Sequence, residues 1–456
     1  MSSKARIIAF YLPQYHPIPE NNAWWGKGFT EWTNVTKAKP LFPGHYQPHL
    51  PADLGFYDLR LPEVRQAQAD LASEYGISGF CYYHYWFNGK RLLERPFDEV
   101  LSSGKPDFPF CLCWANENWT RRWDGEEQEI LISQSYSVDD DREHIRSLIP
   151  VFKDDRYLRV NDKPIFLVYN INSLVDPEQT VKVWREEVEK AGLPGIYLCS
   201  VVSLCLLNPV DSTKFGFDAA VDFPPVTVGP ADRIRPKRHK RFEPLLSNVS
   251  FIVNLIVSYP DIVKKMTLRE EPPYPLIPGV TPGWDNTARR KQSALVMVGN
   301  TPELYENWLH WAINKAQRRF QDDAQLVFIN AWNEWAEGNH LEPDERWGRK
   351  FLEVTRNAVN NKNEWRIEEL DLLIKKQPIG IALNAGNEPY PEEMADLAFQ
   401  AKNKKEFKLA RQWVLRCLWA NPLWIKNKGL VLILMETLIG SRPMNFVRKI
   451  LRKEKQ

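Results

Sequence analysis

The feature that most constrains this chain is a series of eight short, unbroken apolar runs separated by longer stretches of helical period. They are RIIAFYL (6–12), GISGFCYYHYW (76–86), PFCLCWA (109–115), KPIFLVYN (163–170), IYLCSV (196–201), FDAAVDF (217–223), LIPGVTPGW (276–284) and LVFINAW (326–332). Each reads as a strand buried on both faces, the pattern of a parallel sheet flanked by helices. The spacing between the runs predicts helices over Pro62–Tyr75, Asp140–Phe152, Pro177–Ala191 and Thr301–Phe320. Thr301-Pro302-Glu303 is a helix start, with a capping hydroxyl, a proline at the first position and an early acid.

Eight strands over about 350 residues predict an α/β fold, a (β/α)8 TIM barrel enlarged by loop insertions. A doubly wound sheet would carry a glycine-rich phosphate loop after its first strand. Here that strand runs instead into the aromatic loop PQYHPIPENNAWWGKGFTEW. We expect the barrel to span residues 1–369, with a long insertion at 224–275 after the sixth strand. Residues 370–456 are expected to form a helical C-terminal extension resembling a tetratricopeptide-like helix pair.

Barrel active sites lie where the strands end at the C-terminal face. The residues at those ends are unusually aromatic and polar. Tyr11 lies at the end of the first strand and His16, Trp24, Trp25, Glu31 and Trp32 follow it, and Tyr83, His84 and Trp86 close the second. Trp114, Asn116, Glu117, Asn118 and Trp119 follow the third, and Trp284 and Asp285 the seventh. Asn333, Glu334, Trp335 and Glu337 follow the eighth. Convergence of such residues on one rim predicts a ligand site. The chain holds 18 tryptophans and 16 tyrosines, a surplus that suits stacking on the apolar faces of sugars or bases.

The remaining features bound the class. The N-terminal MSSKARIIAFYLPQYH shows no apolar signal region with a cleavage site, and no apolar run nears the ~20 residues of a membrane span. The six cysteines sit mostly within apolar runs and read as reduced core thiols, so a cytoplasmic protein is expected. The basic run RIRPKRHKRF (233–242) reads as a solvated loop rather than a nucleic-acid patch. Residues 371–456 carry 16 basic against 8 acidic residues, a net of +8. This tail, with an apolar patch at Leu430–Leu438, is expected either to cap the barrel or to meet a partner or an anionic inner-membrane surface.

Within AWNEWAEGNHLEPD, Glu334 and Glu337 stand three residues apart, so a helical turn there would present both carboxylates to the barrel mouth. Two carboxylates in a semi-enclosed aromatic site do not both ionise readily at neutral pH. The more desolvated one is expected to keep a proton. An acid paired with a base is what glycosidic bond cleavage requires. Trp332 and Trp335 would offer stacking surface and Asn333 a hydrogen bond to a sugar hydroxyl.

The stretches AFYLPQYHPIPENNAWWGKGFTEWTNV, GFCYYHYWFNGKRLLERP, CWANENWTRRWDG, PGVTPGWDNTARR and AWNEWAEGNHLEPD resemble the glycoside hydrolase family 99-like (WbsX-like) proteins over residues 5–355. Such proteins belong to bacterial surface-polysaccharide (O-antigen, lipopolysaccharide) metabolism and often bear the name glycosyltransferase. The resemblance implies a relative of retaining endo-α-mannosidases. Glu334 would be the base on a sugar 2-hydroxyl, and Glu337 the acid at the leaving oxygen. A 1,2-anhydro sugar would be the intermediate, and no metal or nucleotide cofactor would be needed. The implied substrate is an oligo- or polysaccharide, lipid-linked if the enzyme acts on cytosolic precursors. Three readings follow: a glycoside hydrolase or transglycosylase, a nucleotide-sugar glycosyltransferase, and a non-catalytic glycan-binding scaffold. The acidic stretches VDDDRE, FKDDR and QDDA look like helix starts or turns rather than the metal-binding D-x-D that the second reading needs.

Overall fold

The computed structural model describes residues 5–42, 44–121, 126–203, 210–225, 228–229, 232–234, 254–290, 293–376, 391–404, 406–420 and 433–435. All eight apolar runs contain strands of one parallel barrel. They are β1 (Arg6–Tyr11), β2 (Gly79–Phe87), β3 (Phe110–Trp114), β4 (Lys163–Val168), β5 (Tyr197–Val202), β6 (Ala219–Asp222), β7 (Leu276–Ile277 and Gly279–Val280) and β8 (Leu326–Ile329). Neighbours pair in chain order from β1 to β6. β8 returns to β1, with Arg6 opposite Leu326 and Ala9 opposite Ile329.

The ring closes through β7, whose two arms serve different neighbours. Leu276–Ile277 pairs with β6, and Gly279–Val280 pairs with β8. The break falls at Pro278, which has no N–H for a ladder but whose carbonyl accepts from the Phe328 N–H at 3.0 Å. Gly279 is required beside it, because a Cβ there would collide with the Asp222 carbonyl oxygen of β6. The strand expected over 276–284 therefore ends at Val280, and the chain beyond it belongs to the mouth.

Helices follow the strands: Pro62–Glu74, Val138–Phe152, Pro177–Lys190 and Pro302–Arg319, which the sequence predicts, and Arg95–Ser103, Tyr259–Thr267 and Lys350–Asn360 besides, with a 3-10 turn, Ser212–Phe215, after β5. Side-chain caps start several of them. Ser137 accepts from the Asp140 N–H, Asp176 from Gln179, and Thr301 from Leu304. The insertion after β6 is not merely a loop. Its Leu255–Ser258 strand pairs in parallel with Leu295–Val298. Of RIRPKRHKRF, residues 235–242 lie outside the described residues.

Strand alternation sorts the side chains into two layers. Outside, Tyr82 packs on Phe97 and Trp114 on Trp184, so the helices sit on an aromatic coat. Inside, Phe10 of β1 touches Tyr83 of β2 at 5.7 Å and Phe223, just past β6, at 4.9 Å. Tyr169, just past β4, closes this ring against Tyr83 at 6.4 Å and Phe223 at 5.5 Å. Four rings from four strand ends thus plug the barrel beneath its mouth.

Two compact units divide the chain, Met1–Ile234 with Val253–Ala382, and Arg235–Ile252 with Leu383–Gln456. Leu370 is fully buried in the barrel core, so the boundary expected at 369/370 cuts through the barrel unit's helix Ile367–Lys376. In the second unit, Pro391–Asn403 and Phe407–Ala420 pack together around Ala398, Ala401, Ala410, Val414 and Cys417. Of the apolar patch Leu430–Leu438, all but residues 433–435 lies outside the described residues. Among the described residues no helix is long and apolar enough to cross a membrane.

Candidate active site

β8 aims the chain at the barrel mouth, and Asn333 fixes where it goes next. Its amide oxygen accepts from the Leu12 N–H at 2.7 Å, and its amide nitrogen donates to the Leu12 carbonyl at 3.0 Å. The side chain thereby continues the β1–β8 ladder beyond its last backbone bond. The Tyr15 hydroxyl donates to the Asn333 carbonyl and accepts from the Trp335 N–H. Asn333–Glu334 pairs with Asn339–His340, and the 3-10 turn Trp335–Glu337 lies between them. Gly338 ends this turn at φ +54, where a Cβ would press on Asp285. The expected helical turn between the two glutamates is therefore present in its tighter, 3-10 form.

Arg289 gathers the acids. It follows the short turn Asn286–Ala288, which Asp285 caps by accepting from the Thr287 N–H at 3.0 Å. The Asp285 N–H also donates to the Glu337 carbonyl at 2.6 Å, tying this turn to the glutamate turn. The Arg289 guanidinium then donates to three carboxylates: Nε to Glu31 at 3.0 Å, Nη2 to Glu334 at 2.8 Å and Nη1 to Glu337 at 2.8 Å. Glu31 arrives from the short helix Glu31–Val35 and is fully buried.

One cation among three carboxylates leaves the site short of positive charge in a poorly solvated place. Burial pushes the Glu334 carboxyl up to about 8, against the pull of Arg289, and Glu337 and Glu31 push it further. Burial raises Glu337 as well, again opposed by Arg289. The Glu334 side chain is 6% exposed and that of Glu337 20%, so Glu334 is the more desolvated of the pair. Arg289 itself is raised: burial would lower it, but Glu31, Glu334 and Glu337 outweigh that. Asp285 is lowered, because a 2.6 Å contact with His45 and the Thr287 hydroxyl overcome the burial that would raise it.

Above the four-ring plug lies a cavity of about 510 Å³. Of the expected rim residues, Trp25, Tyr83, Glu117, Asn118, Trp119, Trp284, Glu334 and Glu337 line it. Glu117 also accepts from the Asn170 side chain at 2.8 Å. Glu31 and Asp285 act one step back, through Arg289 and the turn geometry.

The other expected substrate contacts belong to packing instead. His84 and Trp86 occupy the outer face of β2. Trp86 donates to Asp140 at 2.9 Å and stacks on His144, which also meets His84 at 3.0 Å. A strand's side chains alternate, so the cavity receives Tyr83 and Tyr85 rather than their neighbours. Trp114 is fully buried in the same outer layer. Asn116 repeats the device of Asn333, exchanging two 2.8 Å bonds with the Asn170 backbone past the end of β4. Tyr11 donates to Gln68 at 2.7 Å, and Gln68 to Glu342 at 2.6 Å. Trp335 stacks on His340 at 3.8 Å and donates to Glu342 at 2.6 Å, while Trp32 donates to the Tyr57 carbonyl at 2.8 Å. His16 is buried against the Pro13 carbonyl, and burial lowers its imidazole to about 4.

Sequence reasoning missed Arg289, Tyr85, Gln14, Asn21 and Tyr169, all on the cavity wall. Arg289 is the first of the two arginines that close the stretch PGVTPGWDNTARR, and the signal was the need of three carboxylates for a cation. Away from the cavity, His49, His340 and Asp344 each place a ligand-type atom within 4.8 Å of the others. His49 Nδ1 and His340 Nε2 lie 2.9 Å apart, closer than the roughly 3.3 Å of two nitrogens on a tetrahedral zinc, and satisfy each other as a hydrogen bond.

The chain is 45% identical over 355 residues to "Uncharacterized protein WxcX" of Xanthomonas campestris pv. campestris, in strain ATCC 33913 and in strain B100. That match covers 78% of this chain and 50% of the relative, so the chain spans about half the length of the curated relatives it matches. Among solved structures it is similar to a glycoside hydrolase-like protein, with a TM-score of 0.48 and 12% identity over 79% of this chain and 95% of that one. It is also similar to the glycoside hydrolase family 99 endo-alpha-mannosidase from Bacteroides thetaiotaomicron, with a TM-score of 0.47 and 16% identity over 78% and 96% of the two chains. Residues 7–355 match the family described as Glycosyltransferase WbsX, and the chain belongs to that family.

Proposed function

We propose that this protein is a retaining glycoside hydrolase or transglycosylase acting on α-mannoside-like linkages of bacterial surface polysaccharide. The observation that carries the reading is the Glu334–Glu337 pair, held by one arginine on the wall of an aromatic cavity at the barrel mouth. The resemblance of the surrounding stretches to family 99-like proteins supplies the linkage and the roles.

In this mechanism Glu334 takes the proton of the sugar 2-hydroxyl, and O2 attacks the anomeric carbon as the glycosidic bond breaks. Glu337 gives its proton to the departing oxygen, leaving a 1,2-anhydro sugar. Water or an acceptor hydroxyl then loses its proton to Glu337 and attacks the anomeric carbon. The ring oxygen of the anhydride takes back its proton from Glu334 as it opens. Two inversions give net retention. The more exposed Glu337 suits the group that must meet both the leaving oxygen and incoming water. In the free site burial holds the proton on Glu334, so the productive form has that proton passed to Glu337.

The family's description as a glycosyltransferase favours transfer to a sugar acceptor as the second outcome of the same intermediate. A lipid-linked precursor at the cytoplasmic membrane surface is the substrate form we attach to both. Incubation with defined α-mannosides and O-antigen fragments, with and without nucleotide sugars, tests the reading. Cleavage or transfer without a nucleotide, lost in Glu334→Gln and Glu337→Gln, is expected. Turnover strictly dependent on a nucleotide sugar would overturn it.

A further inference from the structure

The cavity wall holds polar groups that the carboxylate machinery does not use. Gln14 lies just past β1, and Asn21 sits in the helix Pro19–Trp25 that follows. Both line the cavity; Asn21 is fully buried and Gln14 is 4% exposed. Among the described residues the Gln14 amide nitrogen and both Asn21 amide atoms have no hydrogen-bond partner, and neither does the buried indole nitrogen of Trp284 on the same wall. Buried polar atoms are nearly always paired, and each unpaired one costs about 1–3 kcal/mol. Three such residues on one cavity are an arrangement that a ligand's hydroxyls would complete.

The charges of the wall say which ligand. Its acidic and basic residues are Glu117, Glu334, Glu337, Arg289 and Arg290, with Glu31 directly behind Arg289. Arg289 already spends its nitrogens on three carboxylates. With the proton held on Glu334, the charges of Glu117 and Glu337 balance Arg289 and Arg290, and Glu31 behind them leaves the site net negative, so an anionic sugar would enter against repulsion. An uncharged ring would not. The donor and acceptor of one amide match two adjacent hydroxyls of a pyranose, and the half-buried Trp25 and Trp119 supply stacking faces.

We propose that Gln14 and Asn21 form a hydroxyl-binding subsite for an uncharged pyranose unit of the glycan, with Trp284 as a third donor. The inference rests on the glycan-processing reading above and names its substrate class. Trp25 lies four residues after Asn21, on the same helix face, and shares the cavity wall with the buried amide.

The test is saturation-transfer NMR on the full chain with methyl α-D-mannopyranoside, methyl α-L-rhamnopyranoside and the charged methyl α-D-glucuronide. Wild type is expected to bind the neutral glycosides more tightly than the glucuronide. Asn21→Ala and Gln14→Ala are each expected to weaken neutral-sugar binding about 3- to 10-fold. Their melting temperatures should match or exceed wild type, since each removes a buried unpaired group. A melting temperature several degrees lower would mean that the amides hold the fold, and would overturn the proposal. So would unchanged affinity in both variants, tighter binding of the glucuronide, or no neutral-sugar binding at all. Binding that behaves as expected without any turnover would sink the hydrolase reading and leave the subsite standing.

Discussion

Arg289 donates to the Glu334 carboxylate at 2.8 Å, and it does so while also holding Glu31 and Glu337. A single cation serving three acids is the electrostatic centre of the site. Removing it leaves uncompensated buried charge, which breaks such networks at about 3–5 kcal/mol. Arg289→Gln should therefore lower the urea midpoint strongly at pH 8 and much less at pH 5, where the raised Glu334 and Glu337 can protonate. An equal loss at both values would contradict this account.

Stability itself should fall with rising pH. Glu334 is raised from 4.5 to about 8 in the folded protein, so the folded state keeps a proton that the unfolded chain releases. That favours folding most at low pH within this window, and the benefit is lost between about 4.5 and about 8. Glu334→Gln removes the titrating charge. It should raise stability by about 1–3 kcal/mol at pH 8.5 and change little near pH 4.5, as thermal melts would read.

Catalysis should follow a bell-shaped pH profile, because the carboxylate pair works with one proton between them. Loss of that proton sets the alkaline limb, expected near 8 from the position of Glu334. A rate that stays flat up to pH 10 would remove the pair from the mechanism.

Leaving-group dependence separates the two glutamates. Glu337→Gln should lower kcat about 10²- to 10⁴-fold on an alkyl or sugar leaving group, and recover on an aryl glycoside that departs without a proton. Glu334→Gln should lose activity on both, and a 2-deoxy glycoside should be inert with wild type. Rescue of Glu334→Gln instead would exchange the roles.

Asn116 and Asn333 tie strand ends together rather than touching the cavity. Asn116→Ala leaves the backbone N–H and carbonyl of Asn170 without their partners and should cost about 1–3 kcal/mol in denaturant. Sugar binding by the folded variant should be unchanged. A loss of binding at unchanged stability would return Asn116 to the ligand site.

The barrel was legible in the sequence because burial on both faces leaves a mark in each strand separately. RIIAFYL or LVFINAW cannot hide its uniform apolarity, and Thr301-Pro302-Glu303 signals a helix start by local chemistry alone. Glu334 and Glu337 were legible for a related reason: three residues of spacing bring them to one side of a turn whatever the rest of the chain does. What the sequence left open was which of many rim residues face inward. His84 and Trp86 differ from Tyr83 and Tyr85 only by one step of alternation, and that phase is set by how the barrel closes. Arg289 joins acids that lie 258, 45 and 48 residues away along the chain, so its role exists only once the strand ends meet. The same holds for the unpaired amides of Gln14 and Asn21, since whether a polar atom finds a partner is decided by everything around it. Local patterns determined the strands, the helices and the carboxylate pair; closure of the ring decided which side chains share the cavity, because only closure brings distant strand ends within hydrogen-bonding reach.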